Sequence, residues 1–493
     1  MFRNYDMESF LQKNKALLYA FIASLISYCF VYGFELTHFT LSVDEESVNN
    51  FRQTLSLGRW GHALLHAYFL PEPYVPFFSM TISIIILSIS SSVICLYLKL
   101  DRITSICFGI LIAALPQLAY QLQFNNQADT VSLALLLSSL SVLALNDINR
   151  WKSIVFITLT VSSLSIYQSV FFYAISLYLL NSVLDSTRSD FSIRGFLKKS
   201  FLVATLICAS VVINALLAKF MASMYGITIT GYLSSMIGWK SQGFITVLGN
   251  LKYFTSQFFS FNASYGLNLF SLLPVFFIIF SIALVVQKKP LLIPIASILI
   301  AITSAFLLNI IIGGALPARA MTQIPIVFAG VLVLTIKVTG LRRTGLMLSI
   351  LFLMAGASSS NRLFYSDYMA RESDEFTAKQ IIDTIYDKYP DFDPSKNKVF
   401  FYGFYTPLNV WRLPNSETFG ASFFSWDSAK NWRIRNYIKS IGLEDIRILE
   451  EDEIKTLFPV AETMKSWPNR EAIFMQNGVV VVKLGEKMNA YYN

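Results

Sequence analysis

The chain has 493 residues, of which 54% are apolar and only 14% are charged. A soluble protein of this length carries charge at about a quarter of its positions, so the composition excludes an ordinary soluble protein. The formal net charge is +8, but most of the basic surplus lies in short segments between apolar blocks. That distribution is a membrane-topology signal rather than a nucleic-acid-binding surface, and we predict no nucleic-acid partner.

Apolar blocks of about 20 residues, the length that a helix needs to cross a bilayer, recur from the N-terminal region to residue 358. In the residues after 358, apolar and polar positions follow the patterns of a small soluble α/β fold. We therefore predict an α-helical polytopic membrane domain, 1–358, followed by a small α/β domain, 359–493. The predicted spans, about eleven, are 16–39, 76–98, 103–120, 128–146, 152–164, 166–185, 199–222, 266–286, 290–312, 320–338 and 343–358.

The number of spans depends on whether 152–164 and 166–185 form one helix or two. Together they are too long for one span and short for two, and the polar residues around Tyr167 and Gln168 favour a break. With two helices and a cytoplasmic N-terminus, most basic loop residues fall on the cytoplasmic side, as the positive-inside rule requires. The C-terminal domain then lies outside the cytoplasm.

The first outer loop begins with three consecutive carboxylates, Asp44, Glu45 and Glu46, just after a predicted span. A carboxylate there can take the proton from an attacking sugar hydroxyl or ligate a divalent ion. Alternatively, Ser42-x-x-Glu45 fits a capping box, and the acids would only stabilise the start of a helix. We choose Asp44 as the first candidate for a base, Glu45 as the second, and Glu46 as a solvated helix start.

Two arginines follow the carboxylates. Residues 46–60 have helical periodicity without the length to span, which predicts a helix lying in the membrane interface. Arg52 and Arg59 are seven positions apart and so share one face of that helix. Arginine binds phosphate through two parallel hydrogen bonds, so both are candidates for phosphate binding, with contact to anionic lipids as the alternative. Arg319, the one charged residue of the predicted outer loop 313–320, is a third candidate with the same alternative.

Other residues are candidates for binding sugar. Asn126 and Gln127 precede Asp129 at the outer end of a span, and amide-rich segments suit sugar hydroxyls, although an Asp there is often structural. Tyr167 and Gln168 reach the same surface if the two short helices meet there, with polar packing as the alternative.

The C-terminal segment has its own pattern. It predicts strands at 399–402 and 479–484 and helices at 373–388 and 428–440. Aromatic side chains in this segment build a small core by default. Trp426, in a polar stretch, is our best candidate there for stacking on a sugar.

His62 and His66 have the spacing of metal ligands on one face of a helix, but they lie among apolar residues, and we expect them to form hydrogen bonds instead.

The acidic pair in the first outer loop, the in-plane helix and the many spans resemble the GT-C superfamily of glycosyltransferases. More narrowly, the chain resembles the Gtr serotype-converting O-antigen glucosyltransferases of enteric bacteria and their phages. The segments that carry this resemblance, in order, are SVDEES, GRWGHALL, NNQADT, SIYQS, GGALPAR and GASFFSW.

The resemblance implies that the protein transfers glucose from undecaprenyl-phosphate-glucose to a sugar of lipid-linked O-antigen, a part of lipopolysaccharide, in the periplasm. It also implies a multi-pass protein of the bacterial inner membrane with a periplasmic C-terminal domain, and functional partners that synthesise and flip the glucosyl lipid. Such enzymes are generally inverting, so Asp44 or Glu45 would be the base, and Arg319 with Arg59 would stabilise the departing phosphate. Some relatives use a divalent cation. With no His-rich cage beside Asp44, we expect no metal.

Two other functions compete with this one. A flippase of lipid-linked sugars predicts charged residues in the middle of several spans, and only Lys219 approaches that description. An O-antigen polymerase or ligase shares the lipid substrates but generally uses arginines in large loops without an acidic pair in the first loop.

Overall fold

The computed structural model describes residues 15–47, 49–70, 72–188, 190–231, 235–260 and 265–486. The chain forms two compact units. The first unit comprises Met1–Thr37 and Asn50–Asn361, and the second unit comprises His38–Asn49 and Arg362–Asn493. The chain therefore leaves the first unit after Thr37, contributes the acidic segment 38–49 to the second unit, and returns at Asn50.

The first unit is helical in its described part. Its α-helices are Lys15–Tyr32, Phe34–Thr37, Phe51–Ser56, Trp60–Tyr68, Pro76–Tyr97, Arg102–Leu111, Gln117–Leu122, Asn125–Leu143, Arg150–Ile166, Phe171–Ser186, Ile193–Met224, Gly238–Ser241, Phe244–Phe259, Leu273–Val286, Leu292–Thr303, Leu307–Ile312, Gln323–Thr339 and the beginning of Arg342–Lys388. Short 3-10 turns lie at Gln168–Val170, Leu269–Leu272, Ser304–Phe306 and Ala318–Ala320.

Seven helical segments of the described chain are long and apolar enough to cross a membrane. Large apolar side chains project from them unburied, among them Phe201 and Phe220 of Ile193–Met224 and Val286 of Leu273–Val286. Such surfaces are unfavourable in water and favourable in a lipid bilayer. The protein is therefore a membrane protein. Each of the predicted spans contains a helix, and the count of eleven crossings stays a prediction.

The predicted break between 152–164 and 166–185 is confirmed. Helix Arg150–Ile166 ends at Tyr167, whose backbone is extended, and a 3-10 turn leads into helix Phe171–Ser186. Because the side chains at the break are polar, the backbone can leave the helical conformation there without exposing apolar side chains to water.

The predicted single helix over 46–60 is wrong. Two short helices, Phe51–Ser56 and Trp60–Tyr68, occupy this region, and Val48 lies outside the described residues. Gly58 separates the helices with a φ of 76°, a left-handed conformation that glycine adopts without a steric penalty. Arg52 and Arg59 consequently do not share one helical face: Arg52 lies on the first helix, and Arg59 is the N-cap residue of the second.

The second unit contains a four-stranded sheet. The strands are β1 (Lys398–Tyr402), β2 (Arg447–Ile448), β3 (Ile473–Gln476) and β4 (Val479–Lys483), in the order β2-β1-β4-β3. Strand β1 pairs in parallel with β2 and β4, and β3 pairs antiparallel with β4. The predicted strands at 399–402 and 479–484 are thus confirmed.

Helices of the second unit surround this sheet. They are the end of Arg342–Lys388, Asn431–Ser440, Glu451–Ile454 and Phe458–Thr463, with 3-10 turns at Trp426–Ser428, Lys455–Leu457 and Arg470–Ala472. Val43 is buried in the same core as Ile381, Phe401 and Val482. Burying this valine, at about 1.5–3 kcal/mol for such a side chain, helps to hold the acidic segment on the second unit.

Candidate functional site

In the first unit, Arg59 lies on an aromatic ring at the helix break. Its guanidinium carbon is 4.6 Å from the centre of the Tyr167 ring. Gln168, the next residue, donates from Nε2 to the Leu57 carbonyl oxygen at 2.9 Å, which joins the break to the turn that presents Arg59. The structure therefore brings together three of the predicted site residues, Arg59, Tyr167 and Gln168.

Asp129 belongs to the same neighbourhood through two histidines. The rings of His62 and His66 lie 4.5 Å apart, and His66 Nε2 is 3.7 Å from Asp129 Oδ1. On its other side, His66 Nδ1 is 3.9 Å from Glu72 Oε1. His62 Nδ1 is 2.8 Å from Thr130 Oγ1, the hydrogen bond that we expected in place of metal ligation.

Burial and charge keep His62 neutral. Burial lowers its pKa well below the usual range, and the nearby His66 and Arg59 lower it further, because each disfavours a second positive charge.

Arg319 lies on the 3-10 turn Ala318–Ala320, with its guanidinium carbon 4.9 Å from the centre of the Phe124 ring. Phe124 is the N-cap residue of helix Asn125–Leu143, the helix that carries Asp129. Asn126 and Gln127 are half-buried in the first turn of that helix. In the described part of the chain, neither Arg59 nor Arg319 forms an ion pair with a carboxylate, so each retains its charge for an anion.

Arg52 is exposed on helix Phe51–Ser56. It is not brought into the cluster around Arg59, because the turn at Gly58 separates the two arginines.

In the second unit, the acidic segment surrounds one buried guanidinium, that of Arg433, whose side chain is 4% exposed. Arg433 Nη1 donates to Glu46 Oε1 at 2.6 Å. Its Nη2 donates to Asp44 Oδ1 at 3.1 Å and to Asp427 Oδ2 at 3.0 Å. Charged hydrogen bonds of this kind compensate the desolvation of a buried cation.

The prediction that Glu46 is a solvated helix start is wrong. Its side chain is only 2% exposed, and the described residues between Glu46 and Phe51 form no helix. Burial raises the pKa of the Glu46 carboxyl, the Arg433 guanidinium lowers it in part, and Asp44 raises it again. Glu46 is thus the inner counter-ion of Arg433, and Asp44, at 47% exposure, is the outer one.

Glu45 makes a different contact, within its own segment. It is buried, and its Oε2 accepts from the Ser42 backbone N at 2.9 Å, which is one half of the capping box that the sequence suggests. Ser42 Oγ in turn donates to Asp367 Oδ2 at 2.6 Å, and Asp367 Oδ1 accepts from the Gly420 backbone N at 3.0 Å. These contacts fix the backbone on which Asp44 is presented, at a left-handed φ of 81°.

Trp426 lies beside this cluster and is half-buried, packed in part against the core of the second unit. The segment before it is held by Asp374, which accepts from Ser422 Oγ at 2.5 Å and from the Phe423 backbone N at 2.7 Å. Burial raises the pKa of Asp374 to about 7; both hydrogen bonds oppose this, and Asp367 adds to it. The segment GASFFSW is thus fixed by two carboxylates, those of Asp367 and Asp374.

Residues 33–336 of the chain match the family model described as Glucosyl transferase GtrII. The chain belongs to the GtrII glucosyl transferase family. No curated protein and no solved structure matches it significantly. The resemblance to Gtr-type glucosyltransferases is therefore confirmed, and the protein is a glycosyltransferase of the membrane.

Sequence reasoning on this GtrII family member missed two residues that organise the acidic segment, Arg433 and Asp427. Both lie far along the chain from Asp44, and no local spacing joins them. The available signal was the charge of the segment 38–49: it has three adjacent carboxylates and no lysine or arginine to compensate them. Glu35 was also missed; it is buried in the first unit, where its Oε1 accepts from Asn125 Nδ2 at 2.9 Å.

Proposed function

We propose that the protein transfers glucose from undecaprenyl-phosphate-glucose to a sugar of lipid-linked O-antigen on the periplasmic face of the bacterial inner membrane. The observation that carries the proposal is the family match, because 33–336 includes every predicted site residue except Trp426. A glucosyl-lipid synthase and a small flippase would supply the donor. The same match favours a transferase over a flippase or a polymerase.

The proposed reaction is a single displacement with inversion at the anomeric carbon. The acceptor hydroxyl oxygen attacks that carbon while Asp44 takes the hydroxyl proton, and the bond from the anomeric carbon to the phosphate oxygen breaks. Undecaprenyl phosphate leaves with the electron pair as an anion. We assign the base to Asp44 because its carboxylate is half-exposed, whereas that of Glu45 is buried and accepts from Ser42.

We propose that Arg59 and Arg319 bind the donor phosphate and stabilise the leaving anion. Each rests on an aromatic ring, and neither has a carboxylate partner in the part of the chain that the structure describes. An uncompensated guanidinium near apolar surroundings favours an anion, and phosphate suits its planar fork. Arg52 is exposed to solvent and would contribute more weakly to binding the donor phosphate.

We propose that sugar hydroxyls contact Asn126, Gln127, Asp129, Tyr167 and Gln168 in the first unit. The amide and phenol groups supply both donors and acceptors, which suits hydroxyl groups. Trp426 in the second unit would offer an indole face to a sugar ring.

We propose that the reaction needs no metal ion. Arg433 supplies positive charge to Asp44, Glu46 and Asp427, the position at which a divalent cation would otherwise be favoured. Full transfer activity in excess EDTA would agree with this, and activity restored only by added Mg²⁺ or Mn²⁺ would contradict it.

The test uses the purified full-length protein in detergent with lipid-linked O-antigen and radiolabelled donor. We expect label to enter O-antigen from undecaprenyl-phosphate-glucose and not from UDP-glucose, with inverted configuration at the new linkage. Label that enters from UDP-glucose alone would contradict the lipid donor. Longer O-antigen without incorporated glucose would favour a polymerase, and donor translocation without transfer in vesicles would favour a flippase.

A further inference from the structure

We propose that the second unit carries a binding subsite for the acceptor glycan, formed by Asp44, Asp427 and Trp432 around Arg433. The ligand class is a neutral sugar ring bearing adjacent hydroxyl groups. This inference rests on the proposed function and adds to it, since it assigns acceptor recognition to Asp427 and Trp432, two residues outside the matched range 33–336.

One guanidinium nitrogen joins the two outer carboxylates. Arg433 Nη2 is 3.1 Å from Asp44 Oδ1 and 3.0 Å from Asp427 Oδ2, so the two oxygens lie close enough for one sugar ring to contact both carboxylates. Each carboxylate uses one oxygen for Arg433 and retains lone pairs for other donors. Hydroxyl groups of a sugar are donors that suit these positions.

Exposure separates an inner from an outer part of this cluster. Arg433 and Glu46 are buried, whereas the side chains of Asp44 and Asp427 are 47% and 40% exposed. Three carboxylates face one buried guanidinium, and the additional cation, Lys430, is 3.7 Å from Asp427. The outer surface thus favours hydroxyl donors and disfavours a phosphate or another anion.

Two further observations point to a ligand. The Nε of Arg433 is buried and has no hydrogen-bond partner in the part of the chain that the structure describes, although the side chain is more than nine-tenths buried. A buried donor without a partner is unfavourable, and a ligand oxygen or a water molecule would satisfy it. The Trp432 ring stacks on the guanidinium at 4.8 Å and remains 43% exposed. An exposed indole next to carboxylates is suited to stacking against a sugar ring.

An unusual backbone conformation positions Asp427. Asp427, Ser428 and Ala429 have φ values of 49°, 58° and 58°, in the left-handed region that residues with a side chain rarely adopt. Helix Asn431–Ser440 begins directly after this turn and carries both Trp432 and Arg433. One short segment therefore places the carboxylate, the indole and the guanidinium together.

The test compares variants of the full-length protein, with acceptor and donor varied separately. The variants are Asp427→Asn and Trp432→Ala. Their matched controls are Asp445→Asn, an exposed carboxylate paired with Arg435 and Lys439, and Trp411→Ala, which is 44% exposed in the same unit.

We expect about a tenfold or larger rise in the KM for lipid-linked O-antigen in both variants, from the loss of a charged hydrogen bond or of ring stacking. The KM for undecaprenyl-phosphate-glucose should stay within about twofold, because no donor contact is removed. The controls should match the wild type. An unchanged acceptor KM in both variants would overturn the subsite.

A binding measurement separates this inference from the proposed function. O-polysaccharide released from its lipid is titrated calorimetrically into the full-length protein, with and without Mg²⁺. If the wild type transfers no glucose, the proposed function fails, and the subsite stands only if Asp427→Asn and Trp432→Ala weaken polysaccharide binding. Equal binding by wild type and variants would overturn the subsite, as would Mg²⁺ binding that Asp427→Asn abolishes.

Discussion

Two arginines of the first unit, Arg59 and Arg319, differ from Arg433 of the second unit in the residues that surround them. In the first unit, Arg59 and Arg319 rest on the rings of Tyr167 and Phe124, and the described residues provide neither with an ion pair. In the second unit, Arg433 is buried and bonded to Asp44, Glu46 and Asp427. Arg59 and Arg319 thus have no counter-ion among the described residues, whereas Arg433 is already engaged by three carboxylates.

Under the proposed function, this difference would let one chain recognise two chemically unlike substrates. Uncompensated guanidinium groups suit a phosphate, whose charge persists after the glycosidic bond breaks. Carboxylates oriented by a buried arginine suit hydroxyl groups, which must be held and deprotonated. We accordingly propose that the first unit binds the donor phosphate and that the second unit carries the base and the acceptor subsite around Arg433.

The largest effect is expected for Asp44→Asn. The amide cannot take a proton, so the turnover of glucosyl transfer should fall by roughly 10²–10⁴-fold, while donor binding stays close to that of the wild type. Radiolabel transfer by the purified protein measures the rate, and Asp445→Asn is the matched control. Activity of Asp44→Asn within threefold of the wild type would remove Asp44 from the base role.

Within the second unit, Asp374 provides a contrast with the Arg433 cluster, because it is buried and forms no ion pair with a cation of the described residues. Its pKa is raised to about 7, so the folded unit binds a proton that the unfolded chain has released above pH 4. Stability should therefore decline as pH rises from about 4 to about 7, by up to roughly 4 kcal/mol, and then level off. Asp374→Asn should remove most of this decline.

Urea titration of the full-length protein from pH 4 to pH 8 measures this effect, followed by tryptophan fluorescence. Four tryptophans, Trp411, Trp426, Trp432 and Trp467, lie in the second unit. Asp383→Asn serves as the control because Asp383 is an exposed carboxylate on the same helix as Asp374. A wild-type stability that rises with pH over this range would contradict the raised pKa.

For the first unit, we predict that Arg319→Gln lowers kcat/KM for the lipid donor by roughly 10- to 100-fold. The reason is the loss of charged hydrogen bonds to phosphate, each contributing about 1.5–3 kcal/mol. The KM for the acceptor should not change. Arg188→Gln, at an exposed arginine paired with Asp190, is the control. If acceptor KM rises and donor kcat/KM does not, the assignment of the donor to Arg319 is wrong.

The smallest effect is expected for Glu45→Gln. Its buried carboxylate accepts from the Ser42 backbone N, and the amide oxygen of glutamine can replace that acceptor. Transfer should therefore fall by less than about tenfold, through imperfect positioning of Asp44. The same radiolabel assay decides which of the two carboxylates contributes more to transfer. A greater loss for Glu45→Gln than for Asp44→Asn would exchange their roles.

Local patterns predicted much of the fold. The lengths of apolar blocks and the polar residues around Tyr167 anticipated the helices of the first unit, and alternation anticipated β1 and β4. The prediction of a single helix over 46–60 was wrong because the spacing of apolar residues does not show where one glycine leaves the helical conformation. The pattern of apolar residues continued across Gly58, while the backbone did not.

The candidate site was predictable only in part. Arg59, Tyr167, Gln168 and Asp129 were chosen for their chemistry and lie in one cluster of the first unit. The partner of the acidic segment was not predictable, because Arg433 is brought to Asp44 by the burial of Val43 in a core built from distant strands. The spacing of residues along the sequence does not predict such a contact.

The central claim, glucosyl transfer to O-antigen that depends on Asp44, is tested most directly by mass and linkage analysis of O-antigen. The samples come from cells that lack the protein, express the wild type, or express Asp44→Asn at equal level, each with the synthase and flippase of the glucosyl lipid present. We predict one added hexose per modified repeat at a defined linkage with the wild type, and none in the other two. O-antigen of identical mass and linkage in all three, or full glucosylation with Asp44→Asn, would contradict the claim.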